Sequence, residues 1–357
     1  MPQHSGSLLK ARIEFYNCIM KSLVCIKPGA FEYQETARPV LSKGYAILKL
    51  KRIGICGTDL HAFEGTQPYF SYPRILGHEL GAEIVDADGA DDFSAGEAIT
   101  IIPYFHCGNC IACRSSKPNC CIDLKVFGVH IDGGMEEYIS IPSYSLVHGD
   151  GLSKDELALI EPLAIGAHAV RRAEIKEDEL VLVIGAGPIG LGTMELAGIA
   201  GAQVIAMDVN ETRLSFCKEK LKVKHVLNAT DTDIAEQLLD ITNGDMPTVV
   251  IDATGNLKAI NQAFQYIAHG GRFVLVGLQK ENISFSHPEF HKREATLMSS
   301  RNATRIDFEH VMNSMKKNLL NPSHYITHRV KFDEVKDNFA DLLNPANGVI
   351  KAMVEME

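Results

Sequence analysis

Three features are missing from this 357-residue sequence, and each absence removes a class of function. There is no basic excess: 35 Lys and Arg stand against 45 Asp and Glu, for a net charge of −10. Without a clustered basic face, the electrostatic footprint of a nucleic-acid binder is excluded. There is no uninterrupted apolar run of membrane length either. The longest, Leu180 to Met207, is broken by Gly185, Gly187, Pro188, Gly190, Gly192 and Glu195, and reads as a strand, a tight turn and a buried helix. Finally, Met1 to Cys18 lacks the apolar core of a secretory signal, because Lys10, Arg12 and Glu14 interrupt it. Export is therefore not expected and the cytoplasm is; most of the nine cysteines should be reduced thiols or metal ligands. Repeats and low-complexity tracts are absent too.

What is present is ordinary globular material, 46% hydrophobic and 22% charged, long enough for about two domains on a prior of roughly 150 residues each. Small-molecule chemistry is the class that remains. Residues 1–19 are poorly suited to packing and read as a loose tail or an upstream mis-assignment of the start. From Met20, MKSLVCIKPG reads as a strand and a Pro-Gly turn.

Tyr45 to Ile53 alternates apolar and polar residues, the period of a half-buried strand. It leads into Gly54–Glu79, read as loop-rich, in which Cys56, His61, His78 and Glu79 are candidate ligands or proton carriers. Zinc favours thiolate, imidazole and carboxylate, and a catalytic zinc keeps one position open. Gly81–Val85 and Ala98–Ile102 read as further strands, so the first third is expected to be mainly β. Cys107, Cys110 and Cys113 then stand at two-residue gaps, with Cys120 and Cys121 following. Thiolates so spaced can converge on one tetrahedral structural zinc, and spacing alone does not choose between Cys120 and Cys121.

Lys154–Ile160 and Leu163–Arg171 read as helices on either side of Glu161-Pro162. Leu180–Ile184 is a short apolar strand followed at once by Gly185, Gly187, Pro188, Ile189 and Gly190, then a helix to about Ala200 and a second strand, Gln203–Met207, ending at Asp208. A glycine-rich turn between strand and helix, with an acidic residue closing the next strand, is the dinucleotide-binding pattern. Its phosphates would rest on the helix N-terminus. Asp208 would accept from ribose hydroxyls and repel a 2′-phosphate, favouring NAD over NADP, whereas the nearby Arg213 tempers that preference. Alternating helices and strands continue to Phe273–Gly277, where Gly277 is a further cofactor candidate. Such alternation implies a parallel sheet covered on both faces.

Taken together, Gly54-Ile-Cys56-Gly-Thr58-Asp59, Gly77-His78-Glu79, the cysteine lobe, Glu161-Pro162 and Gly185–Gly190 resemble the zinc-dependent medium-chain alcohol and polyol dehydrogenases. The resemblance covers essentially everything from Met20. It implies an α/β protein: a GroES-like, mainly-β catalytic domain (20–165 and 300–357, with a zinc lobe at about 103–125) and an inserted Rossmann domain, a doubly wound parallel sheet, at 166–299. It implies catalytic zinc on Cys56, His78 and one or both of Glu79 and Glu161, and structural zinc on Cys107, Cys110, Cys113 and Cys121. Thr58 would hydrogen-bond the reacting oxygen, His61 would pass its proton to solvent, and Asp59 would orient His78. Phe70–Arg74, Gly128–His130, Phe290–Glu294 and Ser300–Thr304 look most like the sugar-acid branch, the L-galactonate or L-gulonate 5-dehydrogenases. Tyr72, Arg74, His130 and Arg301 are thereby the substrate candidates, a guanidinium suiting a carboxylate. A homodimer or homotetramer is the usual assembly of the group. Two other readings share part of the pattern: a sorbitol- or threonine-type dehydrogenase, and a non-catalytic NAD- and zinc-binding sensor.

Overall fold

The computed structural model describes residues 19–67 and 70–356. The expectation for residues 1–19 lies outside that range except for Ile19, which begins a strand, Ile19–Lys27, paired antiparallel with Ala30–Ala37. The described chain forms two units. The first comprises residues to 113, 121–159 and those from 326; the second comprises 114–120 and 160–325. Return to the first unit was expected at 300 and comes at 326. The difference lies in helix Arg305–Lys316, whose first-turn Asp307 is bonded to Arg171 and His168 of helix Lys154–Ala173.

In the first unit, the main sheet runs Leu146–His148, Ala98–Ile101, Glu79–Ala87, Tyr45–Ile55, Lys351–Glu355, Ile326–Lys331, and Tyr138–Pro142 also pairs with Tyr45–Ile55. Register matters here. Gly54 stands opposite Glu79 on one side and Met353 on the other, so the last strand of the chain runs beside the Glu79 strand with only Gly54 between. An added Cβ on Gly54 would lie 2.0 Å from Glu79 Oε2, which is why no larger residue fits there.

The Gly54–Glu79 stretch is not all loop, as had been expected. Gly57–Glu64 is a helix, N-capped at Cys56 and closed by Gly65 in the left-handed conformation (φ 80°). Its buried residues, Asp59, Ala62 and Phe63, fix its orientation, and Phe63 stacks between Phe31 and Phe339 at centroid separations of 5.1 and 5.0 Å. Truncating such an aromatic costs about 3–5 kcal/mol, so the helix is firmly anchored.

In the second unit, six parallel strands lie in the order His225–Asn228, Gln203–Asp208, Leu180–Ile184, Val249–Asp252, Arg272–Leu275, Thr296–Ser299. This is the doubly wound arrangement, and strand order reverses beside Leu180–Ile184, the position at which such sheets take a ligand. The two helices expected on either side of Pro162 are one, Lys154–Ala173. Proline removes a single N–H, and the burial of Leu157–Leu163 on packed faces compensates the lost hydrogen bond. No described helix is long and apolar enough to cross a membrane.

Candidate functional site

Cys56, His78 and Glu79 offer ligand atoms within 4.8 Å of one another. Sheet geometry explains the convergence: Cys56 follows the end of strand Tyr45–Ile55, and His78 and Glu79 enter the strand paired with it. Thiolate, imidazole and carboxylate in one buried corner are the donor set of a catalytic zinc. Asp59 ties the two segments together. One carboxylate oxygen accepts from the Cys56 N–H at 2.8 Å and the other from the Gly77 N–H at 3.1 Å. Its distance to His78 Nδ1 is 3.9 Å, beyond a hydrogen bond, so it acts on the backbone beside both ligands. Burial pushes its carboxyl up, against the opposing pull of His78 and those two N–H groups.

Glu79 has a partner that the sequence reading missed. Lys351 Nζ lies 2.6 and 2.7 Å from its two carboxylate oxygens and 3.2 Å from the Ile55 carbonyl. Glu79 is 0% and Lys351 2% exposed. A single lysine in the apolar run Val-Ile-Lys351-Ala-Met-Val was the available signal. Glu161 is also buried, in the second unit.

Thr58 and His61 lie on helix Gly57–Glu64. His61 is exposed, with Nδ1 3.2 Å from Thr66 Oγ1 and 3.3 Å from Glu64 Oε2. The other candidates in this unit have local partners, although Arg74 Nε is buried without one. Tyr72 hydroxyl donates to the Ala62 carbonyl; Arg74 reaches Asp132 at 3.2 Å and Ser71 at 3.0 Å; and His130 Nδ1 accepts from the Val126 N–H at 2.9 Å.

The lobe thiols Cys107, Cys110, Cys113 and Cys121 converge within 4.8 Å, and Cys120 is not among them. All are free thiols, with sulfur separations of 3.4 Å (Cys121–Cys107) and 3.5 Å (Cys110–Cys113). Backbone N–H groups of Cys113 and Ile122 draw the Cys110 thiol down to about 6, while burial pushes Cys113 up. Four sulfurs this close could hold a metal ion, and their number and type suit a closed structural zinc site.

In the second unit, the three turn glycines have separate reasons to be glycine. Gly185 has φ +98°; a Cβ on Gly190 would stand 1.8 Å from the Gly185 carbonyl oxygen; and a Cβ on Gly187 would meet nothing within 4 Å. Gly187 caps helix Pro188–Ile199 and borders open space, as a pyrophosphate cradle requires. Asp208 closes the next strand and accepts from the N–H groups of Ala186 (2.6 Å) and Asn210 (2.8 Å), which ties it to the turn and leaves lone pairs for a ribose. Arg213 is half-buried in the first turn of helix Glu211–Glu219. Gly277 packs against Gly255, where a Cβ would lie 2.1 Å from the Gly255 nitrogen, so backbone packing already accounts for it. The carbonyl of Arg301 accepts from Asn119 at 2.9 Å and its side chain is exposed.

Comparison with known proteins agrees with this chemistry. Residues 42–150 match the alcohol dehydrogenase GroES-like domain family, and residues 188–317 match the zinc-binding dehydrogenase family. The chain is 43% identical to L-galactonate-5-dehydrogenase of Escherichia coli (strain K12) over 327 residues, 91% of this chain and 96% of that protein. It is 31% identical to sorbitol dehydrogenase of Halalkalibacterium halodurans over 323 residues, 88% of this chain and 94% of that one. A solved structure of the E. coli CFT073 alcohol dehydrogenase RspB, complexed with NADH, matches with a TM-score of 0.88 at 31% identity, covering 95% of this chain and all of that one (100%).

Proposed function

The chain belongs to the zinc-dependent medium-chain alcohol and polyol dehydrogenases, NAD(P)-dependent oxidoreductases acting on CH–OH, and from that premise we propose that it oxidises a secondary hydroxyl of a sugar acid. The substrate is L-galactonate or L-gulonate, oxidised at C5, with NAD as the acceptor. The observation that carries the substrate is the 43% identity to an L-galactonate-5-dehydrogenase along nearly the whole chain. NAD over NADP rests on Asp208, whose buried carboxylate beside the glycine turn would repel a 2′-phosphate.

Cys56, His78 and Glu79 would hold the catalytic zinc; Cys107, Cys110, Cys113 and Cys121 would hold the structural one. When bound, the catalytic metal supplies Lewis acidity, which lowers the pKa of bound water from about 15.7 to about 7 and would act on an alcohol alike. The Thr58 hydroxyl would hydrogen-bond the reacting oxygen and relay its proton, releasing its own as it takes the substrate's. His61, exposed and hydrogen-bonded to Thr66, hands it to solvent. NAD, when bound, would supply the hydride acceptor, and the secondary alcohol would leave as a ketone. Asp59 keeps the Cys56 and His78 segments in register throughout. Arg301, whose guanidinium is exposed, would pair with the substrate carboxylate. An assembly of two or four copies would use the outer strand of the parallel sheet, Thr296–Ser299.

Exchanging the Cys56 thiol tests this directly. Cys56→Ser is expected to abolish turnover while NADH binding, measured by cofactor fluorescence, stays at the parent value. Retained turnover would contradict the assignment.

A further inference from the structure

Asn119 sits within a closed set of hydrogen bonds in the second unit that the chemistry above does not use. Its side-chain nitrogen is 3.2 Å from His168 Nε2 and donates to the Arg301 carbonyl at 2.9 Å. Asn302, in the left-handed conformation (φ 54°), returns its side-chain amide to the Asn119 carbonyl at 3.4 Å. On its other side, His168 Nδ1 stands 2.9 Å from Asp307 Oδ2. That carboxylate also accepts from Arg171, at 2.7 and 3.0 Å, and from the Thr304 backbone and hydroxyl at 2.8 Å each, where it caps helix Arg305–Lys316. Asn119, His168 and Asp307 are 3%, 5% and 2% exposed.

An amide has two N–H groups, and here one meets the Arg301 carbonyl and the other the imidazole, so that His168 Nε2 accepts. On the other side of the ring, Nδ1 stands 2.9 Å from both Asp307 Oδ2 and Arg171 Nη2. A buried network this densely bonded is stiff. Its product is a turn, Arg301–Thr304, held at the Arg301 carbonyl, the Asn302 side chain and Thr304, while the Arg301 side chain itself is exposed. Fixing the backbone from which a flexible guanidinium departs reduces the ordering cost of binding.

We infer that Asn119, oriented by His168, is a positioning residue for Arg301 and sets substrate selection for a carboxylate-bearing alcohol. Residues 114–120, which in the sequence only join the third lobe cysteine to the fourth, thereby carry a second task. This rests on the proposed function, in which Arg301 meets a sugar-acid carboxylate.

The test is a double-mutant cycle of Asn119→Ala and Arg301→Ala, read as KM and kcat for L-galactonate and KM for NAD. Asn119→Ala is expected to raise the aldonate KM roughly five- to tenfold, the worth of about one hydrogen bond, with kcat and the NAD KM within about twofold of the parent. With Arg301 already replaced, adding Asn119→Ala should move the aldonate KM by less than about twofold, because the two act through one contact. An equal effect in both backgrounds, or an unchanged KM in Asn119→Ala, overturns the inference. So does an unchanged KM in Arg301→Ala, which removes the carboxylate role from Arg301 as well. No turnover of any aldonate by the parent enzyme overturns the proposed function itself, before any variant is compared. Should Asn119→Ala fail to fold, Asn302→Gly keeps the left-handed turn and deletes only the bond to the Asn119 carbonyl. It is expected to raise the aldonate KM about two- to fivefold, and an unchanged value overturns the inference.

Discussion

Lys351 donates to both carboxylate oxygens of Glu79, at 2.6 and 2.7 Å, in a corner from which water is excluded on both sides of the pair. The strand register brings them together across Gly54, and the missing side chain of Gly54 leaves the space that the carboxylate fills. A buried carboxylate without a partner is costly. Lys351 holds both oxygens of Glu79 in place beside Cys56 and His78, where the carboxylate is positioned to serve as the third ligand.

Removing only the lysine is therefore expected to be severe. Lys351→Met should lower stability by about 3–5 kcal/mol, the usual penalty for leaving one member of a buried ion pair alone. The double variant Lys351→Met/Glu79→Gln should recover most of that loss. Urea denaturation midpoints of the three proteins, with zinc content measured on the same samples, check this; a loss below about 1 kcal/mol in the single variant would mean that the pair is not a determinant of the corner's stability.

A second carboxyl, not among the metal-ligand candidates, gives a pH signature. Glu136 is lifted to about 7, mainly by burial and further by Asp132, against a hydrogen bond from Ser22 at 2.9 Å. Its folded-state pKa is above the unfolded value, so the native state binds the extra proton between the ordinary carboxyl range and pH 7. Stability contributed by this group is present at the acid end of that window and is lost as pH rises through it. Glu136→Gln, which cannot ionise, should match the parent near pH 5 and exceed it above pH 7 by about 2–3 kcal/mol. Thermal unfolding from pH 5 to 9 measures the gap. A gap that does not widen with pH contradicts the assignment of burial as the cause.

How much of this was legible in the sequence depended on how local each feature is. The glycine turn, the strand before it and Asp208 lie within about two dozen residues, and spacing alone located them. The lobe thiols were equally plain; spacing left Cys120 and Cys121 open, the family resemblance pointed to Cys121, and Cys121 is the one that converges with the other three. Helix Gly57–Glu64 was read as loop because eight residues with a glycine at each end carry little periodic signal. Pro162 was read as a break, but burial around it carries the helix through. Lys351 was invisible as the partner of Glu79 because 272 positions separate them and only the sheet register joins them. Tyr72 and Arg74 had the right chemistry for a sugar acid, yet their polar ends are bonded to Ala62 and to Asp132 and Ser71. Residue type states what a side chain can bind, and packing decides what remains for a ligand.

The central claim is the reaction itself, and one measurement tests it most directly. The zinc-loaded protein is assayed by NADH formation with L-galactonate, L-gulonate, sorbitol and L-threonine at equal concentration, with NADP replacing NAD in a parallel series. The account predicts the highest kcat/KM for L-galactonate or L-gulonate with NAD, at least about tenfold above sorbitol and L-threonine, a discrimination of about 1.4 kcal/mol or more. Turnover of L-threonine or sorbitol alone would contradict the sugar-acid assignment, and no NAD reduction with any of the four would contradict the proposed reaction.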